Sequence, residues 1–244
     1  TWKSNGIFIL EQLMTLIKKY NIDQHYEEII TPPICKNELW KMTGHLDNYH
    51  ENMFLFEEEG LKPMSCPLHT MVFKEHMRSY KDLPFRISEF GKVFRKEFTD
   101  GLIGMKRLQY FTQDDGHIFC LLEHVEHEIK IFISNIYNIY KELGLSDTGN
   151  YPDFIFQIST SANHSEANNI LINVCNNIGL KYIINTNDGA FYGPKIEVHI
   201  RDYSYKYWQC GTIQLDFDLC KKLNATYMNA DGEEEYPIVL HRAY

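Results

Sequence analysis

No CxxC pair occurs in this sequence; its six cysteines, Cys35, Cys66, Cys120, Cys175, Cys210 and Cys220, are widely scattered. That spacing excludes a zinc ribbon or a thioredoxin-type motif and suits reduced thiols in an intracellular protein. The eleven histidines include no HExxH string, which removes the usual helical metalloprotease site. No apolar run approaches the ~18 residues needed to span a bilayer, so no membrane partner is expected, and no signal peptide is visible. Thr1 is an unusual first residue and points to a missing N-terminus. An excess of cations is also lacking: the formal net charge is -9. A domain of that sign is no general nucleic-acid binder, because phosphate neutralisation needs a basic surface. An RNA substrate would have to be gripped by a local patch or by other domains. Internal repeats and low-complexity linkers are absent from the 244 residues, which suffice for one large domain or two small ones. Hydrophobic residues make up 44% and charged residues 23%, the balance of a soluble globular protein. A chain of this size buries roughly 70% of its unfolded surface or more, so a core can form without disulfides.

Periodicity supplies the elements. Ile7, Leu10, Leu13, Met14 and Ile17 recur at helical spacing. A short strand over Tyr26 to Ile30 runs into Pro32 and Pro33. Asn37 to Tyr49 reads as a helix broken near Gly44, and Pro67 to Tyr80 as another, with Pro67 suited to a first turn. Arg86 to Phe90, Lys92 to Glu97 and Arg107 to Phe119 read as antiparallel strands separated by glycine-containing turns. Leu122, Val125, Ile129, Phe132, Ile136 and Ile139 mark a long helix ending near Gly144. A strand (Phe154 to Ser159), a helix (about Glu166 to Ile178) and a strand (Tyr182 to Asn185) follow, and the remainder from Phe191 is mostly strand-like. The order implies an α+β fold with a mainly antiparallel sheet.

The densest chemistry lies between residues 86 and 119. Side chains alternate faces along a strand. Arg95 and Glu97 therefore share a face, and so do Arg107, Gln109, Phe111, Gln113, Asp115 and His117. Such a face makes a poor core, because burying unpaired charge is expensive. It makes a good floor for an anionic ligand with a flat ring: arginines fork onto phosphate and Phe111 can stack on a base. A solvated face laced with salt bridges fits the same alternation, and alternation does not choose between them.

The string Phe94-Arg95-Lys96-Glu97, followed by a loop, Arg107 and Phe111, resembles motif 2 of the class II aminoacyl-tRNA synthetases. The longer run FTQDDGHIF (111 to 119) is more specific and is similar to the threonyl-tRNA synthetases. So are LWKMTGHLDNY (39 to 49), KPMSCPLH (62 to 69), DGAFYGPKIE (188 to 197), WQCGTIQLDF (208 to 217) and HRA (241 to 243), which occur in the family's order across nearly the whole chain. The resemblance implies a single catalytic domain over residues 1–244, with an antiparallel sheet flanked by helices and the active site on one sheet face. It implies ATP-dependent activation of L-threonine and transfer to tRNA(Thr), in the cytoplasm or an organelle.

Residue by residue, the resemblance implies that Cys66, His117 and His241 hold one zinc ion, whose open position receives the threonine amino and hydroxyl groups. Asp115 would accept the hydroxyl, and Met64, Gln113 and Tyr192 would shape the amino-acid pocket. Arg95 would hold the α-phosphate and the substrate carboxylate, Glu97 the adenine amino group and Arg107 the distal phosphates. Phe111 would stack on adenine, Gln209 and Thr212 would contact the nucleotide, Lys195 would add a polar contact, and magnesium would accompany ATP. Pro32 matches the proline that ends motif 1 at the family's homodimer interface. His69, His124 and His127 are read as ordinary surface or core residues. Three departures stand out. The chain stops at Tyr244, before the third class II motif and the anticodon-binding domain; no editing domain is visible; and Gln109 stands where relatives usually carry arginine. A non-catalytic synthetase-like regulator, and a class II synthetase for serine, proline or glycine, are the rival readings.

Overall fold

The computed structural model describes all 244 residues. The chain runs through α1 (Ser4–Asp23), β1 (Glu27–Glu28), β2 (Ile34–Lys36), α2 (Asn37–Met42), α3 (His45–Tyr49), β3 (Glu59–Leu61), α4 (Cys66–Lys74), β4 (Arg78–Ser79) and β5 (Phe85–Phe94). It continues with β6 (Tyr110–Cys120), α5 (Leu122–Glu142), β7 (Phe154–Ser159), α6 (Ser165–Asn177), β8 (Tyr182–Asn185) and β9 (Lys195–Arg201). The last elements are β10 (Tyr207–Asp216), α7 (Leu219–Leu223), β11 (Tyr227–Met228), β12 (Glu234–Glu235) and β13 (Ile238–Ala243). Eight strands form one sheet in the order β1-β5-β6-β13-β10-β9-β7-β8. Its interior pairs are antiparallel, and only β1 on β5 and β7 on β8 run parallel.

The two faces of this sheet differ in character. Ile118, Leu240, Leu215, Ile213, Ile196, Val198, Phe156 and Ile158 line one face and are buried together with Val125, Ile129, Phe132 and Ile136 of α5 and Leu171 and Val174 of α6. α5 binds there because its apolar residues recur every three or four positions, and it ends at Gly144, whose φ of +78° suits a left-handed helix stop. Directly opposed residues on paired strands point to the same side, so the register fixes the other face. At one end that second face is apolar: Ile87, Phe119 and Val239 pack with Phe73 of α4, whose ring stacks on Phe119 at 4.3 Å. Farther along the same strands it turns polar, and the candidate site begins there.

Four local expectations change. Gly91 does not divide two strands; β5 passes straight through it. A Cβ at Gly91 would stand 2.9 Å from Ser65 Oγ, so glycine there admits the loop leading into α4 rather than a turn. β5 then ends at Phe94, because the Lys96 N–H leaves the ladder for the carbonyl of Asn52, and β6 starts at Tyr110 rather than Arg107. Arg95, Glu97, Arg107 and Gln109 thus lie on the loop that joins the strands. α4 stops at Lys74 rather than Tyr80, because Arg78–Ser79 are drawn into a small sheet beside β11. In α1 only the C-terminal half is seated: Leu16 and Tyr20 pack on the main core, while Ile7 and Leu13 stay exposed. The break at Gly44 occurs as expected, with φ +77° between α2 and α3.

Candidate active site

His117 of β6 lies opposite His241 of β13, and His241 lies opposite Gln214 of β10. One step along, Ala243 opposes Thr212, and Thr212 opposes Glu197 of β9. Together with Phe111, Gln113 and Asp115 of β6, these residues form one polar floor across four strands. Gln209 and Thr212 are three apart, and strict alternation would send them to opposite faces. A bulge between Gln209 and Gly211 corrects this. Gln209 opposes His199 while Thr212 opposes Glu197, and since those partners are two apart, both side chains reach the floor.

The three expected metal ligands meet on this floor. Cys66, His117 and His241 are buried, and their donor atoms all lie within 4.8 Å of one another. Cys66 arrives from the first turn of α4, and the histidines from adjacent strands. His117 Nε2 is 3.0 Å from His241 Nδ1. The opposite nitrogen of each ring is engaged: His241 Nε2 lies 3.0 Å from Asp216 Oδ2, and His117 Nδ1 lies 2.8 Å from His69 Nδ1. Asp216 can only accept at that oxygen, so His241 carries its proton on Nε2 and turns the Nδ1 lone pair toward His117. Burial first, then the neighbouring His69 and His241, hold the His117 pKa well below its usual value, which disfavours a charged imidazolium there. Two imidazole nitrogens and a thiol, oriented inward and with a small separation, form a donor set of the kind tetrahedral zinc takes with one position left open. The residues fit the ion. Burial, together with Asp115 and Asp216, raises the Cys66 thiol well above its usual pKa; a divalent cation reverses that preference by binding the thiolate.

The amino-acid side of the site surrounds this cluster. Asp115 is held through Oδ2 by the backbone N–H of Ser65 at 3.3 Å, and its Oδ1 lies 3.8 Å from His117 Nδ1. Tyr192 leans on the His241 ring at 5.0 Å and donates its hydroxyl to Gln214 Oε1 at 2.6 Å. Met64 Sδ sits 2.9 Å from His45 Nε2, and His45 Nδ1 is 2.7 Å from the Thr43 hydroxyl. Burial first, then the neighbouring His241, lowers the His45 pKa to about 4, so this ring is neutral near pH 7. Cys66, Tyr192, Asp216 and His241 open with Thr43 and His45 into one small recess.

The nucleotide side lies farther along the floor. The Arg95 guanidinium sits 5.2 Å from the Phe111 ring centroid, and its Nε donates to the carbonyl of Pro63 at 3.2 Å. Glu97 and Arg107 engage one another, with Arg107 Nη2 2.8 Å and Nε 3.0 Å from Glu97 Oε2. Gln109 donates to the carbonyl of Glu97 at 2.9 Å. Lys106, at the tip of the same loop, pairs with Asp202 and lies 4.4 Å from the Trp208 ring. The β5–β6 loop is thereby laid against the β9–β10 hairpin. Lys195 is tied to Glu197 at 2.7 Å, and Thr212 donates to the carbonyl of Ile196 at 3.3 Å.

Residues 52–244 match the family model of the tRNA synthetase class II core domain (G, H, P, S and T). The chain belongs to the class II tRNA synthetase core family. Within it, this synthetase core is 40% identical to a threonine–tRNA ligase of Delftia acidovorans, a match covering 99% of the chain and 39% of that relative. A threonine–tRNA ligase of Thermotoga maritima is likewise 40% identical, over 98% of the chain and 38% of its own length. The core thus spans about two fifths of the length of these relatives. It also superposes on a crystal structure from Cryptosporidium parvum Iowa II, described as the RNA binding domain of threonyl-tRNA synthetase. That match has a TM-score of 0.92 and 37% identity and covers 99% of this chain and 62% of the other. No helix of the synthetase core is long and apolar enough to cross a membrane.

Several residues of the site were not singled out in the sequence. Asp216 and His45 both lie inside strings that carry the resemblance, so proximity to the motifs was the available signal. Lys62 and His69 end the string KPMSCPLH and had the same signal; Glu89 had none, because its contacts with them cross 20 to 27 residues of chain. His69 is fully buried, as a core histidine would be, and lies 2.8 Å from the expected ligand His117. His124 only caps a helix, its Nδ1 accepting the Leu121 N–H at 3.2 Å where α5 begins.

Proposed function

We propose that this core activates L-threonine with ATP and transfers it to tRNA(Thr). The reading is carried by one observation: the Cys66–His117–His241 cluster lies beside Asp115 on the floor that leads to Arg95 and Phe111. The amino-acid and nucleotide sides are therefore contiguous on one sheet face. Zinc held by Cys66, His117 and His241 would supply a Lewis-acidic open position for the amino group and hydroxyl of threonine. Asp115, held by the Ser65 N–H, accepts the substrate hydroxyl. Tyr192, Gln113 and Met64 close the pocket around the side chain.

The chemistry is nucleotidyl transfer followed by acyl transfer. A threonine carboxylate oxygen attacks the α-phosphorus of ATP, and pyrophosphate leaves. A terminal ribose hydroxyl of tRNA then attacks the carbonyl carbon of threonyl-adenylate, and AMP leaves. This chain forms no covalent bond; it positions the reactants and stabilises charge. Arg95 faces the negative charge that grows on the α-phosphoryl oxygens. Phe111 stacks on adenine, Glu97 accepts from its amino group, and Arg107 swings from Glu97 to the distal phosphates, which arrive with magnesium. Gln209 and Thr212 hold the nucleotide from β10, and Lys195 adds a polar contact. The segment at Pro32 packs against a second copy, giving a homodimer.

Discrimination follows from the pocket's polarity. Valine lacks the hydroxyl and leaves Asp115 unpaired, a defect on the order of 10⁴–10⁵ in selectivity. Serine keeps both polar groups and loses a methyl worth roughly 1–3 kcal/mol, so excluding it requires a hydrolytic step beyond this pocket. ATP–pyrophosphate exchange tests the assignment. Threonine should drive exchange, serine more weakly and valine negligibly. Exchange driven best by proline, glycine or serine would overturn it.

A further inference from the structure

Behind the expected metal ligand His117 lies a buried polar relay that runs through His69 of α4 to Glu89, Lys62 and Thr31. His117 Nδ1 lies 2.8 Å from His69 Nδ1, and His69 Nε2 lies 3.1 Å from Glu89 Oε2. Glu89 Oε1 receives the Lys62 ammonium at 2.7 Å and the Thr31 N–H at 3.2 Å. The Thr31 hydroxyl donates to Oε2 at 2.7 Å. Lys62 Nζ also meets the Thr31 hydroxyl at 2.7 Å. Lys62, His69 and His117 are each no more than 1% exposed, and Glu89 is 4% exposed.

Hydrogen-bond polarity along this chain can be followed from its Glu89 end. Burial opposes charge on Glu89, but donation from His69, Lys62 and Thr31 outweighs it and holds the pKa at about 2. Its carboxylate is therefore an acceptor at both oxygens, and His69 must present an N–H at Nε2. A neutral His69 then has a bare lone pair at Nδ1, which faces His117 Nδ1. Two lone pairs at 2.8 Å repel, so His117 must carry its proton on Nδ1. That leaves the His117 Nε2 and His241 Nδ1 lone pairs facing one another at 3.0 Å beside Cys66, a repulsion that a cation held between them would relieve.

We propose that His69 is a positioning residue for the metal: with Glu89, Lys62 and Thr31 behind it, it selects the His117 tautomer that offers Nε2 to the ion and fixes the ring's orientation. The proposal rests on the reading of Cys66, His117 and His241 as a metal site. It explains why a charged Lys62–Glu89 pair is kept in the interior, where an apolar pair of similar volume would often be as stable. The two histidine ligands are braced unequally. His241 bears directly on the Asp216 carboxylate, while His117 reaches Glu89 through a second imidazole. Partners of this kind typically change metal affinity about 10–100-fold when removed.

The test compares zinc affinity, by chelator competition, in the unaltered protein and in His69→Leu and His69→Gln. Leucine cannot accept from His117 or donate to Glu89; glutamine can do both. The expected result is one zinc per chain in the unaltered protein, about 10–100-fold weaker binding in His69→Leu, and affinity within about threefold of the original in His69→Gln. Long-range ¹H–¹⁵N spectra of the zinc-loaded, unaltered protein give a readout that no folding defect can blur. They should show His117 protonated at Nδ1 and His69 at Nε2. A His69 proton on Nδ1, or zinc binding by His69→Leu as tight as in the unaltered protein, would overturn the relay while leaving the metal site standing. Absence of tightly bound zinc from the unaltered protein would instead overturn the metal reading and the relay with it.

Discussion

The guanidinium carbon of Arg242 lies 2.6 Å from where a Cβ on Gly116 would stand. Arg242 is buried on the helix side of β13, one residue from the expected ligand His241. It is held by Asp114 and by Asn21 Oδ1 at 2.8 Å, and its guanidinium lies over the Tyr244 ring at 4.2 Å. This clamp fastens α1 to the strands that carry His117 and His241. Gly116→Ala should therefore push Arg242 off Asp114 and leave a buried charge without its partner, costing about 3–5 kcal/mol. Urea unfolding measures it; a loss under about 1 kcal/mol would show that the guanidinium can move aside freely.

Asp115 bears on substrate choice. Asp115→Ala should lower kcat/KM for threonine by at least ~100-fold, since a half-buried acceptor for the substrate hydroxyl is lost. The KM for ATP should stay within about threefold. ATP–pyrophosphate exchange at varied concentrations of each substrate separates the two, and equal losses for both would contradict the hydroxyl-acceptor role.

Arg95 bears on the chemical step. Its guanidinium is already oriented by Pro63 and Phe111, so it meets growing phosphoryl charge with little rearrangement. Arg95→Ala should reduce kcat by roughly 10²–10³-fold, the range seen when one preorganised charge-stabilising donor is removed. Single-turnover adenylate formation measures this directly. A change confined to KM would mean Arg95 binds ground and transition states equally.

Glu197 sets a pH dependence of stability. Burial opposes its ionisation, but His199, Lys195 and Ser159 against the carboxylate bring the pKa down to about 2. The folded value lies below the unfolded one, so this group stabilises the fold above about pH 4.5. Its contribution fades as pH falls from there through about 2. Glu197→Gln should flatten that part of the stability–pH curve, as thermal unfolding between about pH 2.5 and 7 would show. An unchanged slope would remove Glu197 as a source of it.

Much of this architecture is legible in the residues, and what is not has physical reasons. The long helix α5 is visible because its apolar stripe is continuous, and the polar floor because β6 alternates. The extent of α4 is not, because Arg78 and Ser79 are captured by a strand nearly 150 residues away. Gly91 reads as a turn in sequence, yet serves the approach of Ser65. Parity places Phe111, Asp115 and His117 together but would separate Gln209 from Thr212, because a bulge leaves no reliable mark in one sequence. The convergence of Cys66, His117 and His241 comes from the family resemblance alone, since no local rule links residues so far apart. The relay through His69 escapes both, being a matter of hydrogen-bond direction.

The metal cluster is the claim on which substrate choice and tautomer selection both depend. Elemental analysis of the purified protein and of Cys66→Ala tests it most directly. About one zinc per chain is expected in the unaltered protein, with the ion lost when the thiol is removed. A protein that carries no tightly bound metal, or a Cys66→Ala variant that retains it, would contradict the account.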